Sequence, residues 1–174
     1  MAVFNIPRAG RNRQGYMEKL INNMCSHTDP VFKCGYGICW TSVESIVSSF
    51  NMTRNAYCKV NLLKVHSIEI ILESYTTKET VILIADRLGC VLYGMGFQSF
   101  ICAVVDQDGY RIVAAINAVS YVNGSLFYDN NASLGFIYLE LLKVLPQEMR
   151  LEISDNSFFD PEVMDGNYVH GVFM

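Results

Sequence analysis

Charged residues and long apolar runs are both scarce in this sequence. Only 17% of the 174 residues are charged, whereas 51% are hydrophobic. This balance excludes an intrinsically disordered chain, which combines low hydrophobicity with high net charge. The longest apolar runs, such as residues 81–85 and 112–116, are far shorter than the roughly 20 residues that cross a bilayer. We therefore expect a folded chain that does not span a membrane.

A secretory signal and paired cysteines are also missing. Residues 1–16 place their basic side chains after a short apolar start and contain no signal-peptide core, so we expect a cytoplasmic location. The six cysteines include no CxxC pair and no zinc-finger spacing with histidine. We expect them to be buried and reduced, in the role of small hydrophobic residues.

No established catalytic or cofactor-binding motif is present. The sequence has no glycine-rich phosphate loop, no GxSxG nucleophile turn and no HExxH metal motif. His27, His66 and His170 are too scattered to predict a metal site. Asp106 and Asp108 are more typical of a tight turn than of a site for a hard cation, which takes about six or more oxygen ligands. We therefore expect neither metal nor cofactor.

Charge is distributed unevenly along the chain. Residues 1–64 carry a net charge of +5 and residues 65–174 carry −9, which together give the overall −4. The basic part is suited to contacts with nucleic-acid phosphates, although charge alone favours a solvated basic surface. The acidic part favours a protein partner instead. Charge alone leaves both alternatives open.

Hydrophobic periodicity predicts an α+β fold with an antiparallel sheet that is covered mainly on one face. Residues 1–145 are predicted to form the domain, and residues 146–174 an acidic, aromatic tail that docks on it or is partly ordered. The segment with Gly35 and Gly37 is predicted to be a loop. The predicted strands are 2–6, 61–74 and a hairpin of 97–105 with 110–119, and the predicted helices are 14–24, one that Thr41 begins and that ends near Phe50, 77–94 and 132–144.

Two segments carry a resemblance to a known family. INAVSYVNGSLFYDN (116–130) is similar to the "NSV-x-Y-x-x-GK-x-F" segment of plasmid mobilisation relaxases of the HUH type. LINNMCSHTDPVFKCGYGICWTS (20–42) follows the order of their "LIxYIxxPxKTDP" and "YGxGVS" motifs. The motifs are collinear over roughly residues 1–145, so the chain resembles these relaxases along most of its length.

The resemblance implies an HUH-endonuclease fold, in which helices pack on the faces of a central antiparallel sheet. In that family a tyrosine attacks a DNA phosphate while three histidines hold a divalent metal. The tyrosine position corresponds to Asn23, and the paired histidines correspond to Arg111 and Val113. The third histidine falls near Val104 or Gly109.

These substitutions remove both parts of the relaxase chemistry. An amide cannot act as a covalent nucleophile, and none of the histidine positions carries an imidazole. Tyr16 precedes Asn23 on the same predicted helix face, but a reaction there would still lack its metal. We therefore expect that the protein is not an enzyme.

The leading hypothesis is a catalytically inactive relaxase-like protein of a mobile element that acts as a DNA-binding or regulatory module. Its partner would be single-stranded or hairpin DNA. Arg111 is expected either to hold a phosphate or to pair with an acidic neighbour. The expected phosphate contacts are Arg8, Arg11, Arg13, Lys33, Arg54 and Arg111.

The alternative hypothesis is a protein-interaction module that does not bind DNA. It would inhibit or regulate a conjugation, replication or host-defence protein, with the acidic residues 65–174 at the interface. Self-association to a homo-oligomer is compatible with both hypotheses.

Overall fold

Six strands and four helices make up the part of the chain that the structure describes. This structure is a computed structural model, and it describes residues 2–7, 15–60 and 64–153. The fold is α+β, as the sequence predicted. The elements are β1 (Ala2–Asn5), α1 (Tyr16–Cys25), β2 (Phe32–Tyr36), α2 (Val43–Ala56), β3 (Val65–Glu73), α3 (Lys78–Gly94), β4 (Ser99–Asp106), β5 (Gly109–Asn117), α4 (Asn131–Leu142) and β6 (Leu151–Ile153).

The strands form one sheet in the order β2-β4-β5-β3-β1-β6. The predicted hairpin is confirmed, because β4 and β5 pair antiparallel from Ser99 opposite Ile116 to Asp106 opposite Gly109. The prediction of a wholly antiparallel sheet is wrong, since β6 pairs parallel with β1. The physical reason is that α4 lies between β5 and β6 in the chain, and a helical crossover of this kind returns the chain in its original direction.

The segment that was predicted to be a loop contains β2, which forms an edge of the sheet. It pairs antiparallel with β4, from Phe32 opposite Ala103 to Tyr36 opposite Ser99. Gly35 lies within this strand. A side chain there would clash with Trp40, because a Cβ would lie 2.6 Å from Cδ1 of the indole. The glycine therefore makes room for an indole ring and does not break the strand.

Helices cover both faces of the sheet, so the expected cover on mainly one face is wrong. α3 and α4 pack on one face, where alternate residues of β4 such as Ile101 and Ala103 belong to the larger core. α1 and α2 pack on the other face, against residues that include Phe100 and Cys102. Both faces need a cover because both sets of alternate residues in β4 are buried and mostly apolar.

α2 begins one residue later than predicted. Ser42 is its N-cap, because its side chain accepts the backbone N–H of Ser45 and the Ser45 hydroxyl oxygen accepts the backbone N–H of Ser42. In α3 the Thr77 side chain accepts the N–H of Thr80. These caps satisfy backbone donors that a helix leaves free in its first turn.

All six cysteines are free thiols, but they do not share the buried environment that was expected for them. Only Cys102 is buried, whereas Cys39, Cys58 and Cys90 are exposed. The exposed three lie in loops or on outward helix positions, where no neighbouring layer covers them. No helix in residues 2–7, 15–60 and 64–153 is long and apolar enough to cross a membrane.

Candidate functional site

A cavity of about 220 Å³ lies between the C-terminal half of α1 and the hairpin end of the sheet. On the helix side, Leu20 and Asn23 line it from one face of α1, because they are three residues apart, and His27 lines it from just beyond the end of the helix. On the sheet side, alternate residues of three adjacent strands line it, because alternate side chains share one face. The polar residues on the sheet side are Glu69, Asp106 and Arg111.

Strand register explains why these residues meet. Val113 lies opposite Cys102 on β4 and opposite Glu69 on β3. Arg111 lies opposite Val104 on β4. These residues therefore form two adjacent rows on the face that α1 covers.

The pocket contains the positions that the relaxase resemblance assigns to chemistry. Asn23, at the tyrosine position, lies on the helix wall, whereas Arg111 and Val113, at the paired histidine positions, lie on the sheet. Of the two alternatives for the third histidine, Val104 lines the pocket and Gly109 lies in the hairpin turn. Residues that are distant in sequence are thus brought together.

Arg111 is held by an ion pair with Asp106. Its Nε donates to Oδ2 of Asp106 at 2.8 Å, and one terminal nitrogen lies 2.5 Å from the same oxygen. The backbone N–H of Gln107 donates to Oδ1 of Asp106 at 2.8 Å, and together with Arg111 it lowers the pKa of the Asp106 carboxyl. Of the two roles expected for Arg111, the structure therefore contains the ion pair.

Three polar side chains of the pocket have no partner among the described residues. Those of Asn23, His27 and Glu69 make no hydrogen bond or ion pair with the residues that the structure describes. Burial raises the pKa of the Cys102 thiol to about 11, so this group is neutral at pH 7. In formal charges Asp106 and Arg111 cancel, so Glu69 gives the pocket a net charge of −1.

Sequence reasoning did not identify Glu69 as a site residue. It lies in β3 between Ile68 and Ile70, which belong to the larger core on the opposite face. This alternation was visible in the sequence and placed the carboxylate on the other side of the strand. Which helix covers that side was not visible, because it depends on how α1 packs.

Of the basic residues expected to contact phosphates, the structure describes Lys33, Arg54 and Arg111. The expectation that Arg54 contacts phosphate is wrong, because this residue is only 2% exposed. Its guanidinium donates to the side chain of Asn51 and to the carbonyls of Lys59 and Val60. Arg54 therefore ties α2 to the following loop. Lys33 is half-buried on β2, with its Nζ 5.9 Å from the centre of the Phe100 ring.

The remaining expected contacts and the alternative nucleophile lie elsewhere. Arg8, Arg11 and Arg13 lie outside the described residues. The hydroxyl of Tyr16 lies 3.1 Å from Oγ of Ser67, in a hydrogen bond away from the pocket lining. Tyr16 thus has a structural contact between α1 and β3.

The segment that carries the resemblance has a structural role at the opposite end of β5. Asn117 is fully buried, and its amide donates to the carbonyl of Phe50 at 3.2 Å and to Oε1 of Gln98 at 2.9 Å. Gly124 has φ +71° and lies against Tyr57. This segment therefore fixes α2 and the chain after β5 to the sheet.

Within the described ranges, no group of three or more histidine, cysteine, aspartate or glutamate side chains is arranged to hold a metal ion. Comparisons of the chain with models of protein families, with curated proteins and with solved structures found no match.

Proposed function

We propose that the protein is a catalytically inactive relaxase-like module of a mobile element, with an HUH-type scaffold that binds single-stranded or hairpin DNA or regulates its processing. The observation that carries this proposal is the pocket at α1. Asn23, Arg111 and Val113, assigned from a sequence resemblance, line that single pocket. A nucleophile and metal ligands must lie close together to act on one phosphate, and the positions that the resemblance assigns to them do so.

The proposal excludes strand cleavage on chemical grounds. Asn23 has an amide at the tyrosine position. The paired histidine positions carry the ion-paired guanidinium of Arg111 and the apolar side chain of Val113. The thiol of Cys102, also in the pocket, is held in its unreactive protonated form by its raised pKa. A nucleophile and an electrophilic stabiliser act as a unit in phosphoryl transfer, so a site that lacks both is not expected to cleave DNA.

DNA affinity would come from cations outside the pocket. The candidates that stay available for phosphates are Arg8, Arg11, Arg13 and Lys33, since Arg54 is buried and Arg111 is paired with Asp106. Each phosphate contact with a single strand contributes about −0.7 to the slope of log affinity against log salt. We therefore expect a slope of about −3.

The test is a fluorescence anisotropy titration of a labelled single-stranded hairpin DNA at several salt concentrations, with EDTA in one series and manganese in the other. We expect binding in both series, and we expect the Arg8→Gln, Arg11→Gln, Arg13→Gln triple variant to reduce the slope to about −1. The control is Lys78→Gln in α3, on the face of the sheet opposite to α1 and the pocket. Salt-insensitive binding, a requirement for manganese or no binding at low salt would each refute DNA binding as proposed.

A second candidate function is a protein-interaction module, and the pocket's net charge of −1 favours it. The unpartnered carboxylate of Glu69 repels phosphate and attracts a basic partner. On the other face of the sheet, apolar side chains on the outer sides of α3 and α4, such as Leu83 and Leu139, are 49% and 40% exposed and offer a partner a second, separate surface.

A pull-down from the native host tests this second function. We expect the arginine triple variant to retain the same conjugation, replication or defence protein as the unmodified chain. Loss of that partner in the triple variant would favour the DNA-dependent function instead. Light scattering on the same samples measures self-association.

A further inference from the structure

We propose that the pocket beside α1 binds the side chain of an arginine from a partner protein. This inference rests on the second proposed function and names the group that such a partner inserts. It is carried by the charge, the unpartnered polar groups and the apolar walls of the pocket. The ligand class is thus a guanidinium on an aliphatic stem.

Charge selects a cationic ligand. Glu69 is half-buried and has no ion pair or hydrogen bond with the described part of the chain. A carboxylate that is partly removed from water gains most from a charged hydrogen-bond donor. Arg111 does not supply one in this structure, where its ion pair is with Asp106, through Nε and one terminal nitrogen, and not with Glu69.

The walls suit the stem of a long basic side chain. Leu20, Val104 and Val113 line the cavity beside its polar groups. Arginine and lysine bury their aliphatic stems along such surfaces while the charged end reaches polar groups. The volume of about 220 Å³ is below the roughly 300 Å³ at which pockets for drug-sized ligands begin, so a single side chain is the appropriate size.

The polar groups favour arginine over lysine and over a nucleobase. The carboxylate of Glu69 and the side-chain oxygen of Asn23 are separate acceptors at the pocket. The planar guanidinium has five N–H donors and binds two acceptors at once, whereas an ammonium is a point charge. A nucleobase would bring flanking phosphates next to Glu69, which opposes them.

The experiment titrates the full chain with N-acetyl-arginine amide and follows backbone amide shifts by NMR. The neutral counterpart, N-acetyl-citrulline amide, has nearly the same shape and requires no protein variant. We expect saturable shifts at residues that line the pocket, with a dissociation constant in the millimolar range, and at least tenfold weaker binding of the citrulline compound. Equal binding of the two compounds, or no binding of the arginine compound, would overturn the proposal.

Two variants locate the site. Glu69→Gln keeps the size of the side chain and removes its charge, so we expect at least tenfold weaker binding of the arginine compound. Glu152→Gln, an exposed carboxylate on β6, should leave it unchanged. An equal loss in both variants would show general electrostatic attraction and contradict a built site.

Failure of this inference is distinct from failure of the proposed functions. If the arginine compound does not bind but the pull-down retains its partner, the interaction function stands and this pocket is not its anchor. If hairpin DNA binds with the expected slope and Glu69→Gln does not weaken it, the DNA function stands independently of the pocket. Weaker binding of a purified partner by Glu69→Gln, with Glu152→Gln unaffected, would support the arginine site directly.

Discussion

Replacing Asn117 by alanine tests the proposed structural role of the segment that carries the relaxase resemblance. The amide group makes two donor bonds, to Phe50 and Gln98, and its oxygen accepts the N–H of Val119 at 3.4 Å. Each hydrogen bond contributes about 1 kcal/mol net, and all three lie in a buried environment. We therefore expect Asn117→Ala to reduce the free energy of unfolding by about 3 kcal/mol.

Urea unfolding measures this change. With a typical m-value of about 2 kcal/mol/M, the midpoint should fall by about 1.5 M. Asn22→Ala, at an exposed position of α1, is the matched control and should shift the midpoint by less than about 0.3 M. If Asn117→Ala behaves like the control, the segment does not hold α2 to the sheet, and its similarity to relaxases requires another explanation.

Further predictions concern a buried cation, an acid-sensitive carboxylate and thiol reactivity. Arg54→Met should reduce the free energy of unfolding in urea by about 2 to 4 kcal/mol, because the groups that the guanidinium binds lose their donors. The same variant should leave the salt slope of DNA binding unchanged. Lys143 and Arg87 lower the pKa of the Glu140 carboxyl, so the stabilisation that it provides is complete above its ordinary pKa of 4.5 and is lost as the pH falls through the lowered value. Urea midpoints measured from pH 6 to pH 3 should therefore fall less steeply in Glu140→Gln than in the unmodified chain, and equal slopes would contradict the ion-pair role. Cys39 is exposed, and hydrogen bonds lower its pKa, so iodoacetamide should modify it long before Cys102, as peptide mass spectrometry over time would show; modification of Cys102 at the same rate would indicate that the sheet opens.

Elements with strong local patterns could be predicted from the sequence. The β4–β5 hairpin follows from two apolar runs around a turn that contains Gly109, which has φ +150° and comes so close to the carbonyl oxygen of Leu72 that a Cβ would lie 2.0 Å from it. α3 follows from the helical spacing of its apolar residues. In both cases the pattern that predicts the element lies within the segment itself.

Elements whose stability comes from distant partners could not be predicted. β2 is an edge strand with a glycine, and its pairing with β4 joins Phe32 to Ala103. β6 has three residues and pairs with β1 at the start of the chain. Neither segment has enough local signal, because the hydrogen-bonding partner supplies the stabilisation.

The site was predicted in part, and one error had a visible warning. Asn23, Arg111 and Val113 were named from the resemblance and line one pocket, but Glu69 was overlooked because its position relative to α1 depends on packing. Arg54 was assigned to phosphate, although it follows Ile46 and Phe50 at intervals of four residues on the buried face of α2. That spacing already predicted burial.

The pairing of β1 with β6 has a consequence for synthesis on the ribosome. Ala2 lies opposite Leu151, so β1 leaves the exit tunnel long before the strand that completes its pairing. Until then β1 has β3 on one side and an unpaired backbone edge on the other. An open edge of this kind templates association between nascent chains. A chain that stops before residue 151 would keep that edge permanently, so premature termination is expected to produce an aggregating product even though most of the sheet is present.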